Sequence, residues 1–184
     1  RPVTRRRGAA WAAGAAGTLA LGLLLAGCGG SGKQAATTSA PTQQTVRGQG
    51  YSFAAPAGWT PALNGSAASA TGPGAGLLSV NVYRLVKRYD PKKADAAAKE
   101  LDTVAARLAA GRKGKVAASE TATVAGIPSR SYRIEYALKG DKLVQQVTFV
   151  LRGTTEWLLV CRRAAADADD ACARFRSSFT LASR

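Results

Sequence analysis

Histidine and methionine are absent from this 184-residue chain, cysteine occurs three times, and 11 acidic residues face 26 lysines and arginines. Each shortage excludes something. Without histidine there is no Ser-His-Asp or Cys-His chemistry, and the commonest transition-metal ligand is missing. Hydrolysis by two carboxylates needs acids converging on a cleft. Only Glu135, Glu156 and acids on helices are available, and strand alternation turns Glu135 to the solvent side. No catalytic residue, metal site or cofactor is therefore expected. Because methionine is missing, the sequence is expected to begin after the initiator or at a truncated start.

What is present begins with an address. Arg1 to Arg7 form a cationic head, and Gly8 to Gly27 carries no charge and ends in the apolar run Leu19 to Leu25. A basic head, an apolar core and small residues at the exit describe a secretory signal. The exit reads Leu25-Ala26-Gly27-Cys28 and resembles the lipobox of bacterial lipoproteins, in which the cysteine thiol is alkylated by diacylglycerol before cleavage in front of it. Residues 1–27 are thus expected to be a lipoprotein signal peptide, with Cys28 the lipidation site. The alternative is an uncleaved span, since about twenty apolar residues just cross a bilayer. Against it, the stretch is rich in Gly and Ala and ends in a cysteine with small neighbours. Thr4-Arg5-Arg6 hints at twin-arginine export, but Gly8-Ala9 continues it poorly. A lipidated Cys28 carries at least two acyl chains, enough for stable anchoring without a transmembrane helix. The expected location is the extracytoplasmic face of the cell membrane.

Residues 28–49 are mostly Gly, Ser, Thr, Gln and Ala. Such a segment cannot bury enough surface to offset its ordering entropy, so it reads as a flexible tether. The folded domain is expected over residues 50–184. It opens with the alternating Tyr51-Ser52-Phe53, and the turn residues Pro56 and Gly58 deliver Trp59 onto the domain. Asn64 to Gly76 reads as a loop, and Leu77 to Leu85 as a strand. Asp90 and Pro91 start a helix whose apolar face is Ala97, Leu101, Val104 and Leu108, stopped by Gly111. Val116 to Val124, Ser131 to Leu138, Val144 to Leu151 and Glu156 to Cys161 follow as strands, with hairpin turns at Lys139-Gly140-Asp141 and Arg152-Gly153-Thr154. Tyr132, Ile134, Tyr136 and Leu138 share one face, with Arg133 and Glu135 on the other. Asp167 to Ser177 is a closing helix with Ala168, Cys172, Phe175 and Phe179 inward. The order implies an α+β fold: an antiparallel β-sheet flanked by helices.

Tyr51-Ser52-Phe53-x-x-Pro56-x-Gly58-Trp59, the later Thr123 to Pro128, and the closing Cys161, Cys172 and Ser177-Ser178-Phe179, together with the lipobox and polar tether, resemble the small actinobacterial lipoproteins with a PsbP-like fold, the LpqN-type group. The resemblance covers nearly the whole domain through short structural motifs. It implies an α/β/α sandwich around an antiparallel sheet and brings no catalytic set with it. The photosynthetic relatives act as assembly and stabilising subunits, a role for which this chain shows no sign of a partner.

With Cys28 lipidated, Cys161 and Cys172 remain, and an even pair in an exported protein reads as a disulfide. Closing that short loop is worth roughly 3 kcal/mol in the chain-entropy account. Two buried thiols are the alternative; two thiolates alone make a poor zinc shell. Asp167-Ala168-Asp169-Asp170 lacks the spaced ligands and turn glycine of a calcium loop and suits the first turn of a helix. Gly111-Arg112-Lys113-Gly114-Lys115 lacks the spacing and preceding strand of a phosphate loop.

The charge remains to be placed. Four of the 26 basic residues and none of the acids precede Cys28, which leaves 22 against 11, a net +11 for the mature chain. Such a charge favours anionic surfaces. An exported protein rarely meets nucleic acid, so anionic lipid, wall polymer or an envelope protein are the expected partners. Arg84, Lys87, Arg88, Lys92 and Lys93 enter the first helix, and Arg112, Lys113 and Lys115 leave it. Together they are candidate contacts to an anionic surface, at about 1 kcal/mol each, set against the plainer role of keeping the protein soluble. The expected function is a membrane-anchored, non-enzymatic binding or accessory module of the envelope; the alternative is a carrier of a small apolar or lipid ligand between sheet and helices.

Overall fold

Two-residue turns organise the chain, because the residues that form them can adopt the left-handed conformation. Ala125-Gly126 and Lys139-Gly140 have positive φ at both positions, +50° and +74° in the first and +54° and +93° in the second. This is the pattern of the turns whose twist matches that of paired strands. A computed structural model describes residues 42–182. The described residues belong to one compact unit. Residues 1–27, expected as a signal peptide, and Cys28 lie outside the described residues.

Among the described residues ten strands and two α-helices follow in order: β1 Gln43–Gly48, β2 Tyr51–Pro56, β3 Thr60–Asn64, β4 Ala67–Thr71, β5 Leu77–Arg84, α1 Ala94–Ala110, β6 Lys115–Val124, β7 Ile127–Leu138, β8 Asp141–Arg152, β9 Thr155–Ala164, α2 Asp170–Ser178 and β10 Thr180–Leu181. All pairings are antiparallel. Seven strands form a sheet in the order β3-β4-β5-β9-β8-β7-β6, and β1-β2-β10 form a smaller one. The α+β class with an antiparallel sheet flanked by helices therefore holds, with two sheets where one was expected. Among the described residues no helix is long and apolar enough to cross a membrane.

Two clusters make the core, one on each face of the large sheet. On one face Ala105 and Ala109 of α1 pack with Tyr132, Ile134 and Tyr136 of β7 and Leu143, Val147 and Phe149 of β8. On the other, α2 and the small sheet supply Phe175, Phe179, Tyr51 and Phe53, which meet Leu78, Val80, Val150 and Leu159. The Phe53 and Phe175 rings meet edge to face, centroids 4.9 Å apart. Cys161 and Cys172 stand at disulfide distance inside this cluster, Cα atoms 5.5 Å apart, joining β9 to α2.

Several boundaries move. The tether expected over residues 28–49 ends sooner, because Gln43–Gly48 is a strand paired along its length with β2. A strand needs little apolar content when the ladder satisfies its backbone; here only Val46 is buried. The loop expected over Asn64 to Gly76 contains β4, whose Ala68 and Ala70 are fully buried. The face of α1 is set by Ala105 and Ala109 with Leu101 and Leu108 beside them, while Val104 is exposed. Small residues there let the helix lie close to the sheet. Gly111 ends α1 with φ −60°, so it does not stop the helix by left-handed geometry; that step falls to Lys113 at φ +54°. Leu138 and Ala168 are exposed rather than inward. Asp90 does cap the helix entry: its carboxylate accepts from the Lys92 N–H at 3.0 Å, and Pro91–Lys93 form a 3₁₀ turn before α1.

Candidate functional site

Along each long strand alternate residues share a face, and the face that carries α2 changes character from end to end. On β8 the sequence on that face is Val150, Thr148, Gln146, Val144 and Lys142; on β7 it is Ser129, Ser131, Arg133 and Glu135. At one end Val150 is sealed under α2 and the small sheet. In the middle the buried Ser131 and Thr148 hydroxyls satisfy each other at 2.9 Å. Toward the other end the side chains become charged, and nothing among the described residues covers them fully.

There a cleft of about 520 Å³ opens. Lys115 on the edge strand β6, Arg133 and Glu135 on β7, and Lys142 and Val144 on β8 supply one face of its lining, with Ala165 after β9 on the far side and Lys113 at the exit of α1. Glu135 is the one acid among these lining residues. It pairs with Arg133 at 3.1 Å and Lys115 at 3.9 Å. Lys113 and Lys142 enter no ion pair among the described residues. The cleft is therefore a cation-rich concavity, in which Val144 shares the strand face of Glu135 and Lys142, while Tyr136 and Leu143 turn their side chains to the α1 side of the sheet. Gly114 lets α1's exit pass so close to β7 that a Cβ on it would lie 2.4 Å from the Glu135 carbonyl oxygen. The β9–α2 connection is fixed by Arg163, whose guanidinium holds the Asp169 carboxylate at 3.2 Å and donates to the Asp167 carbonyl at 2.7 Å. Asp167 and Asp169 thus precede α2 and serve this corner, instead of forming the helix's first turn.

The eight basic residues singled out by sequence do not form one surface. The 17 residues of α1 span about 25 Å at 1.5 Å each, with Arg84, Lys87, Arg88, Lys92 and Lys93 before it and Arg112, Lys113 and Lys115 after it. Lys113 and Lys115 line the cleft. Arg112 instead lies over the Tyr136 ring at 5.6 Å and donates to the Leu108 carbonyl, closing the helix end. Arg133 and Lys142 complete the cleft and were missed. The alternation of β7 against β8 carried the signal for Arg133, but the partner strand register was needed to see that Lys142 joins it.

Elsewhere polar groups have structural work. Asp102 on α1 accepts from the Tyr132 hydroxyl at 2.6 Å and from Arg130 at 3.1 Å, which ties the helix to the sheet. The hydrogen bond from Tyr132 and the Arg130 cation hold the Asp102 carboxyl below its ordinary range. Burial and the Asp102 acceptor push the Tyr132 phenol up to about 12. Burial alone raises Glu156, a half-buried carboxyl on β9. A second, smaller cavity of about 170 Å³ lies beneath the start of α1, between Leu101 and Phe149.

No protein-family model matches the chain, and no curated protein matches it. Among solved structures, one from Bacteroides thetaiotaomicron VPI-5482, determined at 1.50 Å, is similar with a TM-score of 0.55 and 10% identity over 78% of this chain and 49% of that one. The chain spans about half the length of that protein, and the likeness concerns the fold alone. A Pseudomonas aeruginosa protein of unknown function aligns over 69% of this chain and 86% of its own, with 18% identity and a TM-score of 0.38, too low to carry an argument.

Proposed function

We propose that this chain is a lipid-anchored envelope protein of the PsbP-like, LpqN type, whose domain binds an anionic envelope ligand and does not transform it. The observation that carries the binding reading is the cleft, whose lining holds Lys113, Lys115, Arg133 and Lys142 and a single carboxylate, Glu135. Four cations lining one concavity attract phosphate or carboxylate groups. The anchor rests on the Leu25-Ala26-Gly27-Cys28 exit and its basic head. The alternative of a carrier with an apolar chamber between sheet and helices finds little room, since the cavity under α1 is about 170 Å³ and the larger one is open and charged.

The binding reading is tested by titrating the chain from Gly29 onward with short inorganic polyphosphate in a calorimeter. Saturable binding that weakens as salt rises is expected. Lys113→Glu with Lys142→Glu weakens it by about tenfold or more, through lost attraction and new repulsion. Arg84→Glu with Arg88→Glu leaves it within about twofold, because those residues lie beyond the other end of α1. Equal loss in both variants means attraction to net charge alone and ends the reading. The anchor is tested separately: Cys28→Ala is expected to move the protein out of the membrane fraction, and persistence there after a high-salt wash contradicts acylation.

A further inference from the structure

At the far end of the strands from the cleft, the connection from β5 to α1 projects from the domain. Its base is fixed: the Leu85 N–H donates to the Thr154 carbonyl at 2.9 Å and the Tyr89 N–H to the Gly153 carbonyl at 2.7 Å, both in the β8–β9 turn. Between these points stand Val86, Lys87 and Arg88. Val86 is fully exposed, at 101% of its reference area. A single exposed valine needs no explanation by itself. Its setting does. Arg84, Lys87, Arg88, Lys92 and Lys93 lie within seven residues of it along the chain, all exposed, and none enters an ion pair among the described residues. Arg152 joins them, since Thr155 pairs with Arg84 on one side and Arg152 on the other, which puts both arginines on one face of the sheet. Tyr83, half exposed, precedes Arg84 at the end of β5 and faces the other side of the sheet. The acids nearby are Asp90, occupied in capping the 3₁₀ turn, Asp95 in the first turn of α1, and the half-buried Glu156 paired with Tyr83; no acid precedes Asp90 in the chain.

We propose that residues 84–93 form a membrane-docking tip that places Val86 among the headgroups of an anionic bilayer while the cations of the same segment bind the lipid phosphates. A fully exposed valine in a segment of exposed cations, with a half-exposed tyrosine nearby in the chain, matches the layered polarity of a bilayer surface. A soluble polyanion offers the cations a partner but gives the valine none. The fixed base matters too, because the valine is presented without first ordering a long loop. The 12 residues of β8 set this tip roughly 40 Å from the cleft at about 3.3 Å per residue. A domain docked by the tip therefore holds its cleft away from the lipid. This inference does not depend on what the cleft binds.

The test is partition of the chain from Gly29 onward, which lacks any acyl chain when Cys28 is omitted, onto vesicles. Binding to phosphatidylcholine vesicles containing a quarter phosphatidylglycerol is expected, and none to phosphatidylcholine alone. Each tip cation removed lowers the partition about fivefold at low salt. Val86→Asp lowers it by about tenfold while polyphosphate binding and the melting temperature stay unchanged, since the side chain packs against nothing. Val86→Trp adds a blue-shifted emission on anionic vesicles only. Lys113→Glu with Lys142→Glu leaves partition within about twofold. Wild-type partition by Val86→Asp overturns the proposal, as does failure of the wild type to bind anionic vesicles. Loss of polyphosphate binding on changing the tip also overturns it, in favour of a soluble-polymer site.

Discussion

The two ends of the sheet face that carries α2 are built from the same strands and differ in nearly everything else. At one end Val124, Val150 and Leu159 lie under Phe53, Phe175 and Phe179, and the Cys161–Cys172 link ties the covering helix down. At the other, Lys115, Glu135 and Lys142 face an open cleft. The change takes place within the length of β8, from Val150 through the hydrogen-bonded Thr148 to Lys142. One end is closed and cross-linked and carries stability. The other is open and charged, and is the end proposed to bind.

That division can be broken from either side. The largest effect is expected at the closed end: Phe175→Ala removes a fully buried ring and costs about 3–5 kcal/mol, read from urea unfolding. Replacing Cys161 and Cys172 together by alanine is expected to cost about 3 kcal/mol by releasing the loop constraint on the unfolded chain. Neither change should alter anion affinity while the domain is folded. At the open end the expectation reverses, with Lys142→Glu changing unfolding free energy by no more than about 0.5 kcal/mol while weakening polyphosphate binding.

A smaller effect separates burial from charge pairing. Burial raises the folded-state pKa of Glu156 above its ordinary 4.5. Its favourable contribution is therefore complete below that value and is lost as pH rises through the folded pKa. Glu156→Gln should accordingly be more stable than the wild type at pH 7, and the difference should vanish below about pH 4. Melting curves at the two pH values check it. Asp102 has the opposite sign: its lowered pKa adds stability above the ordinary carboxylate range that disappears as pH falls.

The strands of the second half were legible because their turns and alternation are local signals, as at Lys139-Gly140 and in Tyr132, Ile134 and Tyr136. The cysteine pair was legible from the count, since setting Cys28 aside leaves Cys161 and Cys172, which stand at disulfide distance. β1 and β4 were not, since Thr45, Val46, Ala68 and Ala70 carry little apolar mass and are ordered by partners distant in sequence. The face of α1 was misread at Val104 because size was taken as the mark of burial, whereas close helix packing selects Ala105 and Ala109. The cleft was half visible. Lys113 and Lys115 stood out as a basic run, but only strand register brings Arg133 and Lys142 to them, and α1 carries Arg84 to Lys93 away.

The division between the two ends is tested most directly by amide hydrogen exchange with and without short inorganic polyphosphate. Added protection is expected at residues 113–116, 133–137 and 142–144, with β2 and α2 unchanged and already the slowest to exchange. Protection centred on residues 84–93, or spread evenly over the domain, would contradict the assignment of the cleft as the binding end.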